Sequence, residues 1–367
     1  MSSKASFKLV SVEEVSRFIQ SCMCRVGTDP GHSKILADVL VAADARGHFS
    51  HGLNRLAMYV HDVQEGTTSS IGHPVIEKET VSTALIDAKN ILGPVSSTFC
   101  MDLAIKKAKE TGVGWLTCHN ANHFGIAGYY SMKAAQHGLI GMAMTNTSPL
   151  MVPTRAKVKT LGTNPLSVAA AGKCEGSKNE KDMFVLDMAT TSAALGKVEM
   201  AHRKHEKIPD GWAVDSDGNQ TNDAAKALNG GLNPLGGSEV NSGYKGYGLC
   251  FMVELFCGIL SGGAFGPHIR RWGQNDVPAN LGQCFVAVDP NKFAPGFEER
   301  LSSLMNDCRS LEPVDKELEV MVAGDPERKH ISKVEKNGGI HYHVNLLSSL
   351  DSLADELQVQ RMHQMEV

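Results

Sequence analysis

The chain of 367 residues holds no run of about 18 apolar residues, the length a helix needs to cross a bilayer. Its longest apolar stretch, residues 249–260, is interrupted by Glu254 and reads as a buried helix. The opening MSSKASFKLVSVEEV lacks the apolar core of a secretory signal, so a soluble, cytoplasmic protein is the expectation. No long block of one charge sign occurs and the net charge is only -4, which gives no reason to expect a nucleic-acid or membrane partner. The densest basic cluster, His202, Arg203, Lys204, His205 and Lys207, reads as a solvated helix end. Nine cysteines, an odd number with no CxxC spacing, argue against a disulfide framework and for a reduced compartment. Cys250 and Cys257, inside GLCFMVELFCGIL, are read as small core residues, and the other thiols likewise as structural. There is no internal repeat and no low-complexity tract. With 42% hydrophobic and 21% charged residues, the chain is of ordinary globular composition, and its length suits one large or two interwoven domains.

Two periodicities divide what is present. The first 66 residues read as helices: Ser11 and Glu14 form a capping box, and Pro30 opens a helix that carries Ile35, Leu36, Val39, Leu40 and Ala43 on one face. A third helix over about 53–64 stops at Gly66. From about residue 75 short β-rich runs alternate with helical segments. Strands are expected at 83–88, 113–118, 139–145, 166–170, 184–188, 284–288, 318–321 and 341–344. Helices are expected near 95–110, 126–137, 192–203, 244–260, 297–309, 326–336 and 347–358. The alternation predicts an α/β layered domain with a largely buried sheet, and the polar KCEGSKNEKD stretch, 173–182, an exposed hairpin tip.

The GxGxxG string of the ordinary Rossmann turn is missing, so a dinucleotide, if one binds, needs other phosphate holders. Thr145-Asn146-Thr147-Ser148-Pro149 and Gly162-Thr163-Asn164-Pro165 flank predicted strands, with small polar side chains and accessible N–H groups suited to phosphate or ribose. Each on its own reads first as a plain turn, since Asn, Ser, Gly and Pro are the usual turn residues. Asp187-Met188-Ala189-Thr190-Thr191-Ser192 ends a strand and starts a helix, so Thr191 or Ser192 can cap while free N–H groups face an anion and Asp187 takes a ribose or nicotinamide contact. Gly243-Tyr244-Lys245-Gly246-Tyr247-Gly248 opens another helix, with a lysine able to meet a phosphate or carboxylate.

His123, in Asn122-His123-Phe124-Gly125, falls in a loop between a strand and a helix, where catalytic groups sit. His51, in Ser50-His51-Gly52-Leu53-Asn54-Arg55, lies at a helix junction; Arg55, four residues on, can present a guanidinium fork to a carboxylate. The pairs His119/His123 and His48/His51 have helical ligand spacing, yet no HExxH string or carboxylate set accompanies them, so no metal site is expected. His202/His205 and His341/His343 read as surface positions.

In order along the chain, Arg46-Gly47…Ser50-His51-Gly52…Arg55, Asn122-His123-Phe124-Gly125, Thr145-Asn146-Thr147-Ser148-Pro149, Leu161-Gly162-Thr163-Asn164-Pro165, Leu186-Asp187-Met188-Ala189-Thr190, Gly211-Trp212-Ala213-Val214-Asp215 and Gly243-Tyr244-Lys245-Gly246-Tyr247-Gly248-Leu249 resemble the malate/L-lactate dehydrogenase family of the second type. L-sulfolactate, ureidoglycolate and 2,3-diketogulonate dehydrogenases are among its members. The resemblance implies a non-Rossmann α/β fold of the L-sulfolactate dehydrogenase type, a central layered sheet domain with a helical N-terminal region. It implies that a helical region 1–75 packs with a C-terminal segment 311–367 as the substrate side, and that 76–310 binds the nucleotide. It also implies a homodimer with active sites near the subunit contact, and NAD or NADP as cofactor, NAD being preferred.

By the same resemblance His123 is the proton donor and acceptor, and Ser50, His51 and Arg55 form the substrate side. The candidate cofactor residues are Asn146, Thr147, Ser148, Asn164, Asp187, Met188, Ala189, Thr190, Lys245, Gly246 and Gly324, the last in an Ala323-Gly324-Asp325 turn. Phe49 stands where relatives often have Asp, and Arg155-Ala156 where they have a Gly-Gly pair; the first bears on substrate preference, the second on the cofactor loop. The expected reaction moves a hydride between the nicotinamide and C2 of a small 2-hydroxy or 2-oxo acid, malate- or lactate-like. It needs a base titrating near neutrality and a cation for the carboxylate. A cyclic imino-acid reductase on the same scaffold, a catalytically silent binding or structural relative, and a metal-dependent hydrolase are the alternatives.

Overall fold

The computed structural model describes residues 7–173, 182–274 and 276–365. The chain opens with β1 (Phe7–Val10) and α1 (Val12–Arg25), followed by α2 (Pro30–Ala45) and α3 (Leu56–Gln64). Then come β2 (Val75–Glu79), β3 (Thr83–Asp87), α4 (Gly93–Thr111), β4 (Val113–Ala121), α5 (Ala127–Gln136), β5 (Ile140–Thr145), β6 (Leu166–Ala171) and β7 (Met183–Met188). After α6 (Leu195–Arg203) a small sheet of β8 (Ala213–Val214), β9 (Gln220–Thr221) and β10 (Gly231–Leu232) encloses α7 (Ala224–Asn229). The chain ends with α8 (Gly243–Glu254), β11 (Leu281–Val288), α9 (Phe297–Arg309), α10 (Asp325–Asn337), β12 (Ile340–His343) and α11 (Val344–Leu357).

Local chemistry sets the helix starts. The Ser11 hydroxyl accepts the Glu14 N–H, and Asp29 accepts from Gly31 and His32 ahead of Pro30. Only half of the expected capping box forms, because the Glu14 carboxylate turns to Arg17 and to the N–H of His363. The first 66 residues are not all helical either, since β1 pairs antiparallel with β12, matching Phe7 with His343 and Val10 with Ile340. One apolar core joins Val15, Phe18 and Ile19 of α1, Leu36 and Leu40 of α2, Leu56 and Val60 of α3, and Leu347, Leu350 and Leu353 of α11.

The main sheet is mixed and has seven strands in the order β2-β3-β4-β11-β5-β6-β7; only β3 and β4 run parallel. It is layered as expected, with α4 and α5 on one face and the end of α8 on the other, where Val253 and Cys257 meet Met144, Cys284 and Val286. The central strand β11 is buried almost throughout, and burying Phe285 against Phe124 and Tyr130 contributes about 2 kcal/mol. Because β4 and β5 both run antiparallel to β11, they point the same way, and the chain leaves both at one end of the sheet. β6 starts and β7 finishes at that end. The loops that follow β4, β5 and β7 and precede β6 therefore share one end of the sheet.

One expected strand is absent, and two expected helices differ at their ends. Residues 318–321 form a loop, not a strand: Leu318 and Met321 are exposed, and the Leu318 N–H donates to the Asp315 carbonyl in a turn rather than to a strand. The segment 192–194 is not yet helical, because the Ser192 N–H donates to Asn233 and its hydroxyl to Pro234. The expected helix 244–260 leaves α-geometry after Glu254 and ends in a π-helical turn, Leu255–Ile259. β6 and β7 pair as a hairpin, while 174–181 of the expected tip at 173–182, Cys174 among them, lie outside the described residues. Among the described residues the other eight cysteines are free thiols, and no helix is long and apolar enough to cross a membrane.

Candidate active site

His123 occupies the loop from β4 to α5, and buried amides fix that loop. The Asn122 amide donates to the Ile91 carbonyl at 2.9 Å and to Asn90, while Gln283 of β11 donates to the Asn122 carbonyl at 2.8 Å. Ser97 of α4 in turn donates to Gln283 at 3.0 Å. The first turn of α4 presses on the loop so closely that a Cβ on Gly93 would lie 2.2 Å from the His123 carbonyl oxygen.

The Tyr59 hydroxyl, on α3, lies 2.6 Å from His123 Nδ1 and 3.3 Å from its carbonyl oxygen. The Gly125 N–H donates to the same Nδ1 at 3.3 Å, so Tyr59 and the Gly125 backbone together fix the orientation of the His123 ring. Tyr59 sits four residues after Arg55, so the same helical face carries both.

His51 stacks against His123, with ring centroids 5.7 Å apart and planes 17° from parallel. Its Nδ1 is 2.9 Å from the Ser50 hydroxyl. Arg55 folds back so that Nε donates to the Ser50 carbonyl at 2.6 Å, and its guanidinium lies 5.2 Å from the Trp272 ring centre. The helix expected from about residue 53 begins at Leu56, and ahead of it two short 3₁₀ turns, Phe49–His51 and Leu53–Arg55, flank Gly52. The structure thus brings Ser50, His51, Arg55 and His123 together across the chain.

Electrostatics make this a site of suppressed basicity. Burial, then His51, then Arg55 hold the His123 imidazole well below its ordinary range. Burial, then Arg55 and His48, lower His51 to about 4. The expected base titrating near neutrality is therefore, in the ligand-free protein, a neutral imidazole of depressed basicity.

The candidate cofactor residues divide by what their side chains already hold. The Asn146 amide bridges the Ala264 carbonyl and the Gly282 N–H at 2.8 and 2.9 Å. Asn164 accepts the Thr147 N–H and donates to the Cys250 carbonyl, and Thr190 donates to Thr163 and Asn164. Thr147 itself accepts the Thr163 N–H. These side chains tie the loops to one another and to α8. The Asp187 carboxylate accepts the Gly128 N–H in the first turn of α5 at 2.8 Å, and burial raises its pKa. Ser148 has no hydrogen-bond partner among the described residues, and Lys245 stands exposed in the first turn of α8 over the Tyr244 ring. Met188 closes β7 and Ala189 follows it; Gly246 lies against Leu235, where a Cβ would meet a carbonyl oxygen at 2.2 Å. Gly324, at φ 101°, precedes α10 beside the β7 edge, where Val185 donates to Ala323.

His119, in β4, faces Glu77 at 2.9 Å, and among the described residues no group of three or more His, Cys, Asp or Glu could hold a metal. Two surface clefts, of about 240 and 360 Å³, lie around Arg155, Asn233 and Glu239 and around Asp210 and Asn222; neither is lined by His123, His51 or Arg55.

The sequence pattern of the malate/L-lactate dehydrogenase family matches residues 10–351. A malate/(S)-sulfolactate dehydrogenase of Methanothermus fervidus is 40% identical over 354 residues, 96% of this chain and 99% of its own. The chain belongs to the malate/L-lactate dehydrogenase family. A ureidoglycolate dehydrogenase (NAD(+)) of Escherichia coli O157:H7 is 35% identical over 310 residues, 83% of this chain and 84% of that one. The solved sulfolactate dehydrogenase from Methanocaldococcus jannaschii superposes with a TM-score of 0.88 at 36% identity, covering 98% of this chain and 100% of that one. The fold of this malate/L-lactate dehydrogenase family member is thus that of its solved relatives, as expected from the sequence. Sequence reasoning missed Tyr59 and Gln283. A polar residue inside the otherwise apolar LGQCFVAV strand was the available signal for the second, since a buried amide needs partners.

Proposed function

We propose that this malate/L-lactate dehydrogenase family member is a nicotinamide-dependent dehydrogenase acting on a small 2-hydroxy or 2-oxo acid, with His123 exchanging the proton on the C2 oxygen. The observation that carries this reading is the convergence of the stacked His51 and His123 with Arg55, residues distant in the chain, in a buried setting. A carboxylate on the remaining Arg55 N–H groups would set C2 beside His123. In the oxidation direction His123 takes the hydroxyl proton, and in reduction it returns a proton to the 2-oxo oxygen, with His51 as auxiliary donor.

The bound nicotinamide accepts or supplies the hydride. The residues present fit such a cofactor. α8 begins without a side-chain cap, and Lys245 in its first turn adds a cation, a donor set suited to a diphosphate. Ser148, Met188, Ala189 and Gly324 are the further candidates to hold it, while Asn146, Thr147, Asn164, Asp187, Thr190 and Gly246 shape the loops that present them. NAD is proposed ahead of NADP, on the cofactor named for the Escherichia coli relative.

The proposed organisation sets 1–75 and 311–367 as the substrate side and 76–310 as the nucleotide side, in a cytoplasmic homodimer. Supporting the dimer, Phe251, Leu255 and Ile259 recur at four-residue spacing as exposed apolar residues along α8 and its π-helical end. The test is NADH and NADPH oxidation with a panel of 2-oxo acids and cyclic 2-imino acids. Turnover with a 2-oxo acid is expected; turnover confined to imino acids would replace this reading with the reductase, and none with either would favour a silent relative.

A further inference from the structure

Beneath the loop that carries His51 and Arg55 lies a buried carboxylate that the reaction does not use. Asp44, in the last turn of α2, is fully buried. One of its oxygens, Oδ2, accepts both the Leu53 N–H at 2.9 Å and the Tyr342 hydroxyl at 2.6 Å. The other, Oδ1, has no hydrogen-bond partner and faces Gly52, where a Cβ would lie only 1.8 Å away. Gly52 and Leu53 are the joint between the two 3₁₀ turns, so the carboxylate grips the chain where the direction from His51 to Arg55 is set.

Tyr342 reaches this point from β12, 298 residues away in the chain, and is itself buried. The Phe49 ring, next to Ser50, packs edge-on against it at 6.2 Å. A carboxylate with two donors on one oxygen and none on the other is a costly way to fill a core. Its cost is visible in its titration, since burial outweighs the two hydrogen bonds and raises the carboxyl to about 7. Simple packing does not account for a charge-bearing group here, whereas fixing one peptide between two site residues does.

We propose that Asp44 and Tyr342 are positioning residues: together they hold the Gly52–Leu53 peptide and thereby set the angle at which His51 and Arg55 meet the substrate acid. The inference rests on the proposed roles of Arg55 and His51. Through β12, which pairs with β1, the C-terminal part of the chain supports the acid-binding loop without touching substrate.

The test compares Tyr342→Phe and Asp44→Asn with the parent enzyme by acid KM, kcat, NADH dissociation constant and Tm. Asp44→Asn keeps an oxygen for the Leu53 N–H and guards against a variant that fails to fold. Tyr342→Phe is expected to raise acid KM by roughly ten- to a hundredfold, the scale a slightly misplaced group costs, with little change in kcat or NADH affinity. Asp44→Asn should raise it less. A lowered Tm with acid KM unchanged in both variants would overturn the inference and leave a purely structural pair. Arg55→Lys, run alongside, separates the two ideas: if that variant binds the acid normally, the site reading has failed rather than the positioning role.

Discussion

At the scale of single residues, the site is governed by burial. His123 is neutral near pH 7 because the fold withholds water from it and sets His51 and Arg55 beside it. In the proposed mechanism the substrate carboxylate neutralises Arg55 and removes one cause of the depression. With cofactor saturating, the lower apparent pKa of acid oxidation should therefore be higher in kcat, which reports the complex, than in kcat/KM. Equal values, or the reverse order, would detach Arg55 from the carboxylate. His123→Ala should lower turnover by roughly two to four orders of magnitude with cofactor affinity unchanged. Arg55→Lys keeps the charge but loses the fork, so acid KM should rise while the cofactor dissociation constant stays put.

Asp44 gives a stability signature at the same scale. Its carboxyl is raised from the ordinary 3.8 to about 7 in the folded chain, facing the Tyr342 hydroxyl and the Leu53 N–H, so the folded state holds the proton more tightly. That contribution is fully present below about pH 4 and is lost as pH rises through about 7. Urea unfolding should show the parent losing stability relative to Asp44→Asn across that window; a constant difference would mean Asp44 titrates normally. Loop position and short-range spacing made His123, His51 and Arg55 candidates, and the family strings supplied their expected roles. Tyr59 and Asp44 were not legible in this way, since their partners lie 64 and 298 residues away.

At the scale of elements, the site is a consequence of where helices stop and strands end. The loop holding His123 is wedged between the end of β4 and the first turn of α4, which makes Gly93 irreplaceable. A Gly93→Ala change would gain up to about 1 kcal/mol of helix propensity, but its Cβ would meet the backbone oxygens of His123 and Asn122 at 2.2 and 2.4 Å. Overpacking costs about 1–3 kcal/mol, so the clash wins: urea unfolding should show net destabilisation, and turnover should fall as the loop shifts. An unchanged variant would mean the loop is not held by α4. Strands with a strong apolar run, such as β5 and β11, could be read from residue types alone. β2, fully exposed at the sheet edge, and the two-residue strands β8 to β10 carry no such pattern. Residues 318–321 carry the pattern without a partner edge, and so mislead.

At the scale of the molecule, the two ends of the chain are tied by β1 and β12, so the loop that carries His51 and Arg55 is supported from both termini. The sheet order, with β11 inserted between β4 and β5, follows from long-range pairing that residue patterns do not encode. What the sequence did carry was the ordered series of family strings, spread over nearly the whole chain. If the apolar stripe of α8 is the subunit contact, Leu255→Asp should shift the protein from dimer to monomer in light scattering and lower activity with it; a variant that stays dimeric would move the contact elsewhere. The most direct test of the account is a crystal structure of the enzyme with NADH and oxamate, an unreactive 2-oxo acid mimic. The account predicts the oxamate carboxylate on the Arg55 guanidinium and its 2-oxo oxygen within about 2.6–3.2 Å of the His123 imidazole. Oxamate bound away from Arg55, or with His123 facing elsewhere, would contradict it.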